Sequence, residues 1–193
     1  MILWEPQPKQ QLALSCPAFE LFYGGAAGGG KSDFLLMDFL AGCNEGRGAW
    51  RGILFRRTYK ELEELIIRAK ELYTPLGAHY HKTENVFTFP TGSFLRLRYL
   101  ERDDDVGSYQ GHQYTWCGFD ELGNYATDYC YLYMISRLRS AAGLKCYMRA
   151  TGNPGGVGHS WIKMRFIDGK KPNTIYTDEM GRTRCFIPSL LDD

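Results

Sequence analysis

Along this chain, short apolar runs alternate with stretches whose apolar residues recur every three or four positions, the pattern of buried strands interleaved with amphipathic helices. Glu20-Leu21-Phe22-Tyr23 reads as a strand ending at glycines, and the apolar residues from Lys31 to Ala41 fall at helical spacing. Gly52-Ile53-Leu54-Phe55-Arg56 reads as a second buried strand. Thr58 with Glu61 is the capping-box pair that opens a helix through Tyr73, and Pro75 and Gly77 stop it. Val86 to Phe89 and Phe94 to Tyr99 flank Pro90-Thr91-Gly92-Ser93, turn chemistry that predicts a β-hairpin decorating the sheet. Glu101 to Gly107 reads as a charged loop. Tyr114 to Phe119 predicts a strand running directly into Asp120-Glu121, followed by a helix from about Thr127 to Arg139. Lys145 to Thr151 predicts one more strand, which ends in Gly152-Asn153-Pro154-Gly155-Gly156, a segment unable to continue regular structure. A short helix near Ser160 to Phe166 and a hairpin from Thr174 to Ile187, turning near Gly181, complete the reading.

This alternation predicts an α/β fold with a mainly parallel sheet, helices on both faces, and ligands at the carboxyl ends of the strands. A length of 193 residues suits one domain spanning residues 1–193, and no repeat, low-complexity tract or linker divides it. Hydrophobic residues at 44% with 15% aromatics exclude disorder, and no apolar run approaches the roughly 20 residues that span a bilayer. Met1 to Pro6 lack the basic flank and apolar stretch of a secretory signal, so the expectation is a soluble, cytoplasmic protein. Cys16, Cys43, Cys117, Cys130, Cys146 and Cys185 form no C-x-x-C pair and stand at no zinc-like spacing from the histidines, which predicts reduced, partly buried thiols. A net charge of +1 neither supports nor excludes a nucleic-acid partner.

The candidate chemistry gathers at three strand ends. Gly25-Ala26-Ala27-Gly28-Gly29-Gly30-Lys31-Ser32 fits G-x-x-x-x-G-K-S between a predicted strand and a predicted helix, the placement its chemistry requires. Glycines such as Gly25, Gly28, Gly29 and Gly30 let backbone N–H groups converge on phosphate oxygens. Lys31 would reach the β and γ phosphates of ATP, and the Ser32 hydroxyl would ligate Mg²⁺. Asp120-Glu121 closes an apolar strand, an arrangement in which the aspartate joins the Mg²⁺ shell and the glutamate orients and deprotonates the attacking water. Thr151-Gly152-Asn153 ends the strand expected beside these, where Asn153 would meet the γ phosphate or the water; the plain alternative is a turn. Asp103-Asp104-Asp105 reads as a solvated loop rather than a metal cluster.

Taken in order, Trp4-Glu5-Pro6-Gln7-Pro8-Lys9-Gln10, Gly24 to Ser32, Phe55-Arg56-Arg57-Thr58-Tyr59, Gly118-Phe119-Asp120-Glu121, Ser136-Arg137-Leu138-Arg139 and Thr151-Gly152-Asn153-Pro154 resemble the ATPase half of tailed-bacteriophage terminase large subunits. The resemblance covers almost the whole chain. The glycine motif and acidic pair are shared by many motors, whereas the glutamine motif, S-R-L-R and T-G-N-P-G-G together are more selective. It implies a P-loop NTPase of the additional-strand, catalytic-glutamate type, a Mg²⁺-dependent ATPase that drives double-stranded DNA into a procapsid. It further implies that Gln10 reads the adenine edge and that Asn153 couples hydrolysis to movement. The implied partners are double-stranded DNA, portal protein, the small terminase subunit and further copies in a ring, in the host cytoplasm at the procapsid portal.

Two departures from the family stand out. Ala26 and Ala27 occupy the loop where several relatives carry arginine, and Gln110 stands about eleven residues before Glu121, where many place another. Arg137 and Arg139, at the carboxyl end of the predicted helix after Glu121, are then the candidates for the charge-neutralising cation, with Arg139 preferred; the alternative is that both merely cap that helix. The family's nuclease of RNase H type would lie beyond Asp193, so no nuclease activity is expected of this chain. Competing functions are a helicase-like or RecA-like nucleic-acid-dependent ATPase and a nucleotide-gated assembly module with little turnover. A small-molecule kinase ranks last, because no basic lid pattern follows the helices.

Overall fold

The computed structural model describes residues 4–25 and 30–189, so Gly28 and Gly29 of the glycine motif, with Ala26 and Ala27, lie outside the described residues. The elements are α1 (Pro8–Leu14), β1 (Glu20–Gly25), α2 (Lys31–Leu40), the one-turn α3 (Cys43–Gly46), β2 (Arg51–Arg56), α4 (Tyr59–Tyr73), β3 (His79–His81), β4 (Val86–Thr88), β5 (Phe94–Tyr99), β6 (Trp116–Phe119), α5 (Tyr129–Ile135), β7 (Tyr147–Gly152), α6 (His159–Phe166), β8 (Tyr176–Thr177) and β9 (Thr183–Ser189). The strands form one sheet in the order β3-β4-β5-β2-β6-β7-β1-β9-β8. β5, β2, β6, β7, β1 and β9 run parallel, while β3-β4 and β8 add antiparallel edges. β7 therefore stands between β1, which leads into the glycine motif, and β6, which ends in the acidic pair. This inserted strand is the feature of the additional-strand P-loop fold, and the mainly parallel sheet with hairpin decoration is as the sequence predicts.

The period-two rule decides which face each strand residue serves. Leu21 and Tyr23 of β1, Leu54 of β2 and Trp116 of β6 join a core with α2 and α4, whereas Phe22, Ile53, Phe55, Cys117, Phe119, Met148 and Ala150 form the opposite core with α5 and α6. α4 begins as predicted: Thr58 Oγ1 accepts from Glu61 N at 3.3 Å while Thr58 N donates to Glu61 Oε2 at 3.0 Å. Such a cap contributes about 1 kcal/mol.

Two buried charge clusters lock the layers. Asp38 of α2 accepts from Trp116 Nε1 at 2.7 Å and from Arg149 Nε at 3.1 Å. The same arginine donates to the carbonyls of Cys16 at 3.0 Å and Ala18 at 3.1 Å, so it also fixes the loop that feeds β1. On the other face Glu20, with no exposed surface, binds Arg165 of α6 at 2.8 Å and Arg184 of β9 at 2.9 Å. All six cysteines are free thiols, five buried and Cys146 half-buried. Among the described residues, no helix is long and apolar enough to cross a membrane.

Three departures from the sequence reading have local causes. β3 is an extra strand, too short to carry an alternation signal. Asp103–Tyr109 forms a 3₁₀ turn rather than an open loop, because Asp103 is held by Arg57 at 2.9 Å and by Thr127 at 3.1 Å. The helix predicted to reach Arg139 stops at Ile135. Leu138 packs against the core and forms an isolated parallel bridge with Tyr114, drawing the chain out of helical geometry.

Candidate nucleotide and catalytic site

The parallel strands deliver their carboxyl ends to one edge, and the period-two rule selects what faces α2 there. After Leu54 the next residue on that face of β2 is Arg56; after Trp116 and Gly118 on β6 it is Asp120; after Arg149 on β7 it is Thr151. Arg56 and Asp120 converge on Ser32 in the first turn of α2, and Thr151 joins them through Asp120. Ser32 Oγ donates to Asp120 Oδ2 at 2.7 Å, Thr151 Oγ1 donates to Asp120 Oδ1 at 2.5 Å, and Arg56 Nη2 lies 2.7 Å from Asp120 Oδ2 and 3.0 Å from Ser32 Oγ. Asp120 is fully buried. Burying a carboxylate without this density of donors and counter-charge is costly.

Glycine geometry shapes the two ends of the phosphate loop. A Cβ on Gly25 would sit 1.8 Å from the carbonyl oxygen of Ser189, so only glycine lets β1 and β9 approach so closely. Gly30 caps α2 with φ 58°, in the left-handed region, and a Cβ there would meet Gln10 Nε2 at 2.4 Å. Gln10 is buried: its Nε2 donates to Gly30 O at 2.9 Å and its Oε1 accepts from Gln7 N at 2.8 Å. The glutamine thus ties α1 to the phosphate loop.

Lys31 is 6% exposed, and burial lowers its ammonium pKa while the charges of Glu121 and Asp120 raise it. Glu121, half-buried, has its carboxyl pKa raised, first by burial and then by the neighbouring Asp120 charge. It also adopts φ 54°, the left-handed region that costs a non-glycine residue about 1–3 kcal/mol. The turn points the carboxylate away from Asp120 toward β7, where Asn153 Nδ2 lies 3.4 and 3.3 Å from its two oxygens. Glu121 N reaches Thr151 Oγ1 at 3.4 Å. A buried ammonium, a carboxylate positioned by an amide and a hydroxyl–aspartate pair, gathered at one sheet edge, are parts that in-line water attack on a phosphoanhydride could use.

The structure thus brings together Gly25, Gly30, Lys31, Ser32, Asp120, Glu121 and Asn153, with Gln10 beneath. It does not bring Arg137 and Arg139 there. The Arg139 N–H donates to Tyr114 O at 3.0 Å, at the amino-terminal side of β6, and its side chain lines a hollow with Arg51, Gln113, Tyr114 and Thr115. Six residues of strand separate Tyr114 from Asp120, about 20 Å at roughly 3.3 Å per residue. The helix ends earlier than expected, at Ile135: Arg137 lies in the turn that follows it, Arg139 beyond the bridge at Leu138, and neither contacts Asp120 or Glu121 among the described residues. The sequence reading missed Arg56, whose signal was its place two residues after Leu54 on a strand paired with the one carrying Asp120.

Ser32 Oγ and Asp120 Oδ are hard oxygen donors that already bind a guanidinium nitrogen in common, so the donor set fits a divalent Mg²⁺.

No family model and no curated protein matches the chain. Solved structures do. A large terminase from a thermophilic bacteriophage, in complex with ADP, aligns with TM-score 0.74 at 17% identity, covering 98% of this chain and 46% of that one. The ATPase domain of the Thermus phage P74-26 large terminase gives TM-score 0.64 at 15% identity, over 96% of this chain and 80% of that one. The N-terminal domain of the DNA packaging ATPase from bacteriophage phi29 gives TM-score 0.65 at 15% identity, with 100% of both chains covered. The likeness is one of fold. The chain has the P-loop NTPase architecture of phage terminase ATPase domains and spans about half the length of the ADP-bound large terminase.

Proposed function

We propose that this chain is the Mg²⁺-dependent, ATP-hydrolysing motor domain of a viral terminase large subunit that drives double-stranded DNA into a procapsid. The observation that carries the reading is the convergence of Lys31, Ser32, Asp120, Glu121 and Asn153 at one sheet edge, within a fold shared with phage packaging ATPases. In this reading Lys31 and the backbone of the glycine loop hold the phosphates. Ser32 and Asp120 hold Mg²⁺, which neutralises phosphate charge when bound. Glu121 aligns water and takes its proton, Asn153 orients that carboxylate, and Gln10 senses the adenine end while fastened to Gly30. Residues 1–193 form the ATPase domain, and a nuclease, where one exists, belongs to other parts of such a protein. The partners are double-stranded DNA, portal protein and small terminase subunit, in the host cytoplasm at the portal.

Arg139, on the opposite edge from its own nucleotide, supplies its cation to a neighbouring copy in a ring. The test is ATP turnover as a function of protein concentration, with DNA and procapsids added. Turnover that rises more steeply than linearly and is stimulated by procapsids supports the reading. Tight ATP binding without turnover under every condition replaces it with a nucleotide-gated assembly module, and stimulation by DNA alone points to a helicase-like ATPase.

A further inference from the structure

The guanidinium of Arg56 occupies an unusual place. Its Nη2 lies between Ser32 Oγ and Asp120 Oδ2, at 3.0 and 2.7 Å, bridging the two oxygens that would share a divalent cation. Its side chain is 13% exposed, and its Nε is buried with no hydrogen-bond partner among the described residues. The arginine therefore commits one nitrogen to the acid and holds back the rest of a planar fork whose shape matches two oxygens of a phosphoryl group. Its neighbour Arg57 is committed elsewhere, to Asp103 at 2.9 Å and over the Tyr125 ring at 5.0 Å.

We propose that Arg56 is a two-position residue: in the nucleotide-free protein it is the counter-ion that holds Asp120 and Ser32 together, and with Mg²⁺ and ATP bound it swings to the transferred phosphoryl group as an arginine supplied by the same subunit. The inference rests on the ATPase reading of this site. The displacement follows from electrostatics. A divalent cation and a guanidinium cannot both lie within contact of the same Asp120 oxygen without strong repulsion, and the nearest anionic surface for the released arginine is the phosphate. Its Nη2 already lies 2.7 Å from Asp120, the residue immediately before the water-activating Glu121. Transfer spreads charge over the terminal phosphoryl oxygens, and a fork that meets them there lowers the barrier more than it tightens binding. This provides in cis the positive charge that the alanines of the phosphate loop do not, and it leaves the trans role of Arg139 intact.

The experiment compares wild type, Arg56→Gln and Arg56→Lys, using a fluorescent ATP analogue titrated with Mg²⁺ and trapping of ADP–fluoroaluminate as a mimic of the transferring group. In Arg56→Gln the Mg²⁺ concentration for half-saturation should fall about tenfold, the worth of one charge-assisted hydrogen bond no longer to be broken. Analogue binding should persist, ADP–fluoroaluminate should no longer be retained, and turnover should drop by about a thousandfold or more. Arg56→Lys keeps a counter-ion for Asp120, so it should melt like wild type and still fail to trap the mimic. Trapping as firm as wild type in either variant, or a Mg²⁺ requirement that does not fall in Arg56→Gln, overturns the assignment. Wild type that fails to bind the fluorescent analogue rejects the ATPase reading instead.

Discussion

Replacing Glu121 by glutamine separates binding from chemistry. The two side chains have the same length, and glutamine tolerates the φ of 54° no worse than glutamate, so the turn after β6 should survive. Of the two contacts from Asn153, at 3.4 and 3.3 Å, one can persist to the amide oxygen. Burial and the Asp120 charge already press Glu121 toward neutrality, so removing its charge relieves repulsion, and the variant should melt no lower than wild type. ATP should bind as well or better, because one negative charge leaves the neighbourhood of the phosphates. What disappears is the base. Positioned general-base catalysis contributes about 10²–10⁴-fold, equivalent to about 3–5 kcal/mol of barrier, and turnover should fall by that factor. Equilibrium titration with a fluorescent ATP analogue, single-turnover phosphate release and thermal melting together make the measurement. A parallel loss of affinity and turnover, or turnover within a factor of about ten of wild type, would show that Glu121 is not the base.

Lys31→Ala should lower ATP affinity by about a hundredfold or more, as loss of charge-assisted contacts to two phosphates requires, and calorimetric titration reads it directly. Because Glu121 must be ionised to act and its pKa is raised, the acid limb of the turnover profile should lie above the ordinary glutamate range; activity dies as pH falls through that limb, and a pH profile with the limb at ordinary glutamate values would refute the assignment. Arg149→Met strips Asp38 of its buried partner and should cost about 3–5 kcal/mol, or a Tm lower by about 6–20 °C, far from any phosphate contact. Arg139→Ala should bind ATP normally yet lose the steep concentration dependence of turnover, and mixing it with Glu121→Gln subunits should restore part of it; mixed assemblies without recovery would count against a trans role.

What the sequence made legible was local. The glycine motif, the acidic pair after an apolar run and the Thr58–Glu61 cap each depend on neighbours within a few residues, and the described residues of each stand where expected. Arg56 was hidden because its importance arises only when β2 pairs with β6 and Phe55 lies opposite Phe119, so that the next residues of both strands meet. The C-terminal hairpin was visible as a hairpin, but nothing local says that its second strand lies beside β1. The helix after Glu121 was overextended because Leu138 keeps helical spacing with Met134, while its contact with Tyr114 is tertiary. Gln10 carried a signal only through resemblance, and its bond to Gly30 spans twenty residues.

The order of strands also sets a clock. β1 is among the first parts of the chain to be synthesised, yet its partners are β7 and β9, with Glu20 opposite Met148 on one side and Arg184 on the other. Between Gly25 and Thr183 lie about 160 residues, which at roughly 5–20 residues per second take about 10–30 s to make. Until β7 is made both edges of that apolar strand are unpaired, and until β9 is made one still is, the condition under which nascent chains associate wrongly. When β9 is made it closes one edge of β1 and brings Ser189 against Gly25, so the ground from which the phosphate loop springs is completed only once Ser189 has been added. A chain broken off before Thr183 would carry every residue of the glycine motif and still lack the strand that aims it.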